Sequence, residues 1–111
     1  MVTWYISGNI SNVMGSVKQL CQELDTILST INSSGFSKVT PDTIEKLEKI
    51  SSEASNSGMK TGKGLIDNFI GILKSFLEGK SNESSVSLRF TALDFYKTNV
   101  LNNPADTEEE L

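Results

Sequence analysis

The stretch ISNVMGSVKQLCQELDTILSTI, residues 10–31, decides the fold class. Its apolar residues Ile10, Val13, Val17, Leu20, Leu24, Ile27 and Ile31 recur at steps of three and four. An α-helix turns once every 3.6 residues, so these side chains fall on one narrow stripe, the seam of a coiled-coil contact. Met14, Cys21 and Leu28 flank the stripe on one side. Ser7 or Asn9 offers a hydroxyl or amide cap, and NSSGFS, residues 32–37, supplies turn formers and a glycine after it. The spacing predicts a helix over about residues 9–32.

The same reading extends outward. In VTPDTIEKL, residues 39–47, Thr40 stands at the N-cap, Pro41 at the first helical position and Asp42 in the first turn. Val39 and Ile44 then occupy the positions of a hydrophobic staple. A second helix over 41–56 follows, carrying Ile44, Leu47, Ile50 and Ala54. The Ser- and Gly-rich run SSEASNSGMKTGKG predicts a break or a closely packed stretch near residues 57–62. A third pattern opens with Leu65, Phe69, Ile72 and Phe76 and resumes in phase at Val86, Phe90 and Leu93. Positions 65, 72, 79, 86 and 93 are seven apart, which favours one long helix over 62–98, loosened at Gly79. The alternative is a break there and a fourth, short helix capped by Ser81 or Asn82. Nothing alternates as a strand would, beyond the short β-prone VTWYIS at the start, where Trp4 and Tyr5 are expected to anchor onto the helices. The expectation is an all-α chain: an elongated helical hairpin or bundle over 1–99, followed by a disordered acidic tail over 100–111.

Composition bounds the chemistry. With 111 residues, 37% hydrophobic and 7% aromatic, the chain is one domain with a thin core, or one completed by another chain. Ten basic against fourteen acidic residues give a formal net charge of −4, and the scattered Lys and Arg would neutralise few nucleic-acid phosphates. There is no His, the commonest general base and metal ligand. The single cysteine, Cys21, lies in an apolar periodic run and reads as a small buried hydrophobe. SGMKTGKG lacks the phosphate-loop spacing, because three residues rather than four separate Gly58 from Gly62-Lys63, and Gly64 replaces the hydroxyl residue. Its glycines fit close helix approach or a bend. No apolar run is long enough to span a membrane, and MVTWYISGNIS lacks the charged start and long apolar core of a signal peptide. Neither an enzymatic activity nor a cofactor is expected.

One short motif stands apart. In RFTALDFY, residues 89–96, Phe90 and Asp94 lie four apart and share a helix face. Phe90 is on the apolar register. Asp94 falls just past it, near a helix C-terminus, where an acidic residue opposes the partial negative charge of the helix dipole. Local stability therefore does not ask for Asp94. The pair, with the length, the missing His and the absence of a signal peptide, resembles the small helical targeting factors of type VII secretion systems. These WXG-like proteins are encoded beside LXG toxins in Gram-positive bacteria and carry a Phe-x-x-x-Asp motif. Two features depart from the WXG pattern: Trp4 is followed by Tyr5 and Ile6, and residues 32–64 are more than a single turn.

The resemblance implies an adaptor or chaperone. It would pair with the helical N-terminal domain of a cognate LXG-type toxin, with or without a second small helical protein, and present Phe90 and Asp94 as an export signal to the secretion ATPase. The seams would then serve packing within the chain, and a homo-oligomer is a further expectation. The flanking residues Met14, Cys21, Leu28, Ile66, Ile70 and Leu73 could face the partner, or widen the monomer's own core. Such a protein is expected in the cytoplasm, or exported with its partner without a signal peptide. The alternative is a cytoplasmic helical immunity or regulatory protein that masks a partner.

Overall fold

In the computed structural model the backbone is described from residue 2 to 102, and side chains from residue 17 to 102. Among the described residues four helices follow one another: α1 (Val2–Ser34), α2 (Pro41–Asn56), α3 (Lys60–Leu77) and α4 (Glu83–Asn102), with a 3₁₀ turn, Phe36–Lys38, between α1 and α2. No strand occurs among the described residues. All three connections are short, so consecutive helices run antiparallel. α3 packs against α2 and α4, and α1 against α4 and α2, which closes the ring of a four-helix bundle.

Local chemistry sets each boundary. Thr40 caps α2, its Oγ1 accepting from the Thr43 N–H at 3.4 Å, with Pro41 at the first helical position. Between α2 and α3 the chain turns through Gly58, whose φ of +79° favours glycine, and Met59 seals the turn at 2% exposure. The expected break near residues 57–62 is therefore a tight turn.

The expected continuous helix over 62–98 is instead two helices. Gly79 has φ +78°, and the Lys80 N–H reaches back to the Ser75 carbonyl at 2.8 Å while the Gly79 N–H bonds to Phe76. This is the left-handed C-terminal cap that glycine supports best. Asn82 then starts α4, its Oδ1 accepting from the Ser85 N–H at 2.9 Å. The alternative with a fourth helix holds, and that helix is long. α4 also passes residue 99, so the ordered unit is not bounded there. The proposed acidic tail falls largely on residues 103–111, outside the described residues. At the other end α1 begins at Val2, so neither Ser7 nor Asn9 is its cap, and VTWYIS continues the helix.

The core is continuous. It holds Val17, Leu20, Leu24 and Ile31 from α1 and Leu47, Ile50 and Ala54 from α2. Phe69 and Leu73 from α3 and Val86, Leu93 and Val100 from α4 complete it. Cys21, Leu28, Ile66 and Ile70 belong to the same core, at 1%, 1%, 2% and 7% exposure, with Leu73 at 0%. These flanking residues thus do not face outward to a partner. The reason is the number of neighbours: a helix in a four-membered ring touches two adjacent helices and needs a wider apolar stripe than a two-helix seam. Met14 is outside the described side chains.

α1 is the outlier in length. Its 33 residues span about 50 Å at 1.5 Å per residue, close to the 55 Å long axis of the molecule. α2, α3 and α4 have 16, 18 and 20 residues.

Candidate functional site

The Phe90–Asp94 pair sits in the middle of α4, and the two side chains meet different surroundings. Phe90 joins Phe36 and Phe69 in a three-ring cluster with centroids 5.5, 5.8 and 6.5 Å apart, every pair edge to face. Such geometry places ring edges against ring faces and adds to the area each ring buries. Phe36 comes from the 3₁₀ turn, so the cluster ties the α1–α2 connection to α3 and α4. Phe90 is thus a packing residue, as its register implies.

Asp94 is paired. Lys97, one turn on, has a side chain only 8% exposed, and its Nζ lies 3.0 Å from an Asp94 oxygen and 2.6 Å from an Asp25 oxygen. The two carboxylates remain about half exposed, at 47% and 49%. Lys97 buries its stem among the helices and delivers its ammonium to this acidic pair. Burial alone pulls the Lys97 pKa down, but the hydrogen bonds and charges of Asp25 and Asp94 outweigh it and hold the pKa above its ordinary value. The expectation that stability is indifferent to Asp94 is corrected here: the carboxylate helps neutralise a buried cation. The expected opposition to the helix dipole does not arise either, because Asp94 lies about two turns before the end of α4 at Asn102.

Next to this site Gly62 of α3 lies against Tyr96 of α4. A Cβ at Gly62 would come 2.9 Å from the Tyr96 ring. This is the close helix approach expected of the SGMKTGKG glycines. The nearby Gly64 meets open space.

A separate polar cleft of about 380 Å³ lies between α2 and α3, lined by Glu48, Ser51, Ser55, Lys63, Asp67 and Ile70. The buried Ser51 hydroxyl donates to Asp67, and Lys63 pairs with the other Asp67 oxygen. Lys63 first and Ser51 second hold the Asp67 pKa below its ordinary value. A carboxylate so stabilised is a poor base. The Ser51 proton is held by Asp67 and the hydroxyl faces no activating imidazole, so the cluster has no acyl-transfer geometry. Its evident role is to join α2 and α3. Among the described residues no group of three His, Cys, Asp or Glu is placed to hold a metal ion, and no described helix is long and apolar enough to cross a membrane.

Two features escaped the sequence reading. Nothing in the sequence marks Lys97, because its second partner is 72 residues away. Leu88 and Phe95 on α4 are 67% and 68% exposed, against the trend of every other large apolar residue in that helix. No family model matches the chain, and no curated protein or solved structure is significantly similar to it.

Proposed function

We propose that this protein is a non-enzymatic adaptor that binds the helical N-terminal domain of an LXG-type toxin and helps present it for type VII secretion. The observation that carries this reading is the overhang of α1. Lys97 of α4 meets Asp25 of α1, so an antiparallel α4 ending at Asn102 reaches about residue 20. On the other side, Glu53 near the end of α2 lines one groove with Glu23. Residues 2–16 of α1 therefore continue past both neighbours as helix.

That segment has the composition of an interface. It contains no charged residue, the first being Lys18, and Ile10 and Val13 continue the seam that packs the core from Val17 onward. A helix of this length and polarity is marginal alone in water. Further helices laid beside it would extend the bundle, which is what a helical toxin domain offers. The net charge of −4 and the scattered basic residues favour no nucleic-acid partner.

In this scheme α4 provides the signal. Phe90 fixes the helix through its ring cluster, and the half-exposed Asp94 is the part of the motif that the secretion ATPase can touch. The test pairs two substitutions. Asp94→Ala and Asp25→Ala each remove one carboxylate from Lys97, but only the first alters the motif. Toxin export should be lost with Asp94→Ala and retained with Asp25→Ala, with toxin binding intact in both. Equal loss of export would show that the ion cluster matters only for stability, and normal export in both would remove Asp94 from the signal.

A further inference from the structure

We propose that the outward face of α4 is a self-pairing surface, on which a second copy of this chain docks its own α4 antiparallel to the first. Leu88 and Phe95 are the most exposed large apolar residues among those described, and they are seven positions apart. Seven residues are two helical turns to within about 20°, so the two side chains lie on one line along the helix, roughly 10 Å apart. Thr91 and Ala92 sit midway between them, one on each side of that line, and both are exposed.

Charge decides the occupant. α4 carries Glu83, Arg89, Asp94 and Lys97. At about 100° per residue each of them points at least roughly 110° away from the Leu88–Phe95 line. The line itself runs through Ser84, Leu88, Phe95 and Asn99, all uncharged. Two copies of a chain of net charge −4 repel overall, and this stripe puts none of α4's own charges into the contact. An uncharged stripe also offers nothing by which a charged partner could be steered or selected.

Spacing supports the same occupant. A two-fold axis through the point between Thr91 and Ala92 brings Leu88 of one copy level with Phe95 of the other, twice. The small pair at the centre lets the helix axes approach to about the 8–10 Å of ordinary helix packing. The surface is thus complementary to itself, as an isologous contact requires. One helix pair is at the low end of interface size, so the dimer is weak, populated at roughly hundreds of micromolar chain. This surface is distinct from the α1 overhang, and the adaptor reading stands or falls without it.

Sedimentation equilibrium from about 10 to 500 μM tests the proposal directly. The full chain should show a monomer–dimer equilibrium, and Leu88→Glu and Phe95→Glu should each be monomeric throughout with unchanged circular dichroism. A wild-type chain that stays monomeric, or a dimer indifferent to both substitutions, overturns the proposal. So does a monomer in which Leu88→Glu instead loses toxin binding, which gives the face to the partner. Register is tested by oxidation, with Cys21 buried and out of competition. A mixture of Leu88→Cys and Phe95→Cys chains should cross-link several-fold more than either alone. Equal cross-linking of Leu88→Cys with itself rules out the antiparallel register.

Discussion

Removing Asp94 should destabilise the bundle by about 1 kcal/mol, and by more once Asp25 is gone. The magnitude follows from the geometry. Lys97 is 8% exposed and donates to two carboxylates, at 2.6 Å and 3.0 Å. Truncating one partner of a fully buried pair costs roughly 3–5 kcal/mol, because the remaining charge is stranded. Here Asp25 stays, at the shorter distance, and both carboxylates are half in water, where ion pairs contribute only about 0.2–1 kcal/mol. Asp94→Ala therefore belongs near 1 kcal/mol, or a fall in Tm of about 4–8 °C for a domain of this size. Asp25→Ala should cost the same or slightly more. In the double variant the buried ammonium has neither carboxylate, so the loss should exceed the sum of the singles by about 1 kcal/mol or more. Urea unfolding of the four proteins measures this coupling. Strict additivity, or an Asp94→Ala protein as stable as the parent, would refute the claim that the two carboxylates share Lys97.

Several other perturbations have definite signs. Gly79→Ala should destabilise by about 1–2 kcal/mol in thermal melts: φ is +78° and a Cβ there meets nothing, so only the left-handed backbone penalty acts. Phe69→Ala, which removes the fully buried member of the ring cluster at 0% exposure, should cost about 3–5 kcal/mol by urea titration. Raising the pH should reveal Lys97. Its folded pKa is raised, so its contribution is complete below the ordinary value of 10.5 and is lost as pH climbs through the folded pKa. Melting temperature should thus fall above about pH 10.5 more steeply in the parent than in Lys97→Met. Asp67 has the opposite sign. Its lowered pKa supplies stability above the ordinary 3.8 that disappears as pH falls through the folded value, and Asp67→Asn should flatten that acid limb.

How much of this was legible in the sequence varied with the range of the interaction. The α2 start needed only Thr40, Pro41 and Asp42, a local signature, and the structure has that cap. The seam from Val17 to Ile31 likewise marked one face of α1. Over 62–98 the sequence carries two conflicting signals, and the expected continuous helix is in fact two. Positions 65, 72, 79, 86 and 93 keep heptad phase, yet Gly79 and Asn82 have the chemistry of a cap and a start. Two antiparallel helices facing the same core can each carry a seven-residue repeat without being continuous, so the turn chemistry was the better guide. The flanking residues Cys21, Leu28, Ile66, Ile70 and Leu73 were ambiguous for a related reason: the width of an apolar stripe depends on how many helices surround it, and that number follows from where α3 ends. Asp94 could not be understood without Asp25, which topology alone brings to Lys97.

The overhang of α1 separates an adaptor from a self-sufficient bundle, and amide hydrogen exchange addresses it residue by residue. The chain should be measured alone and with the helical N-terminal domain of an LXG-type toxin, the partner proposed for it. Amides of residues 2–16 should exchange quickly in the free chain, well before those of the Val17–Ile31 core segment, and become protected in the complex. Protection of residues 2–16 equal to the core in the free chain, or fast exchange there in a stable complex, would contradict α1 as the docking helix.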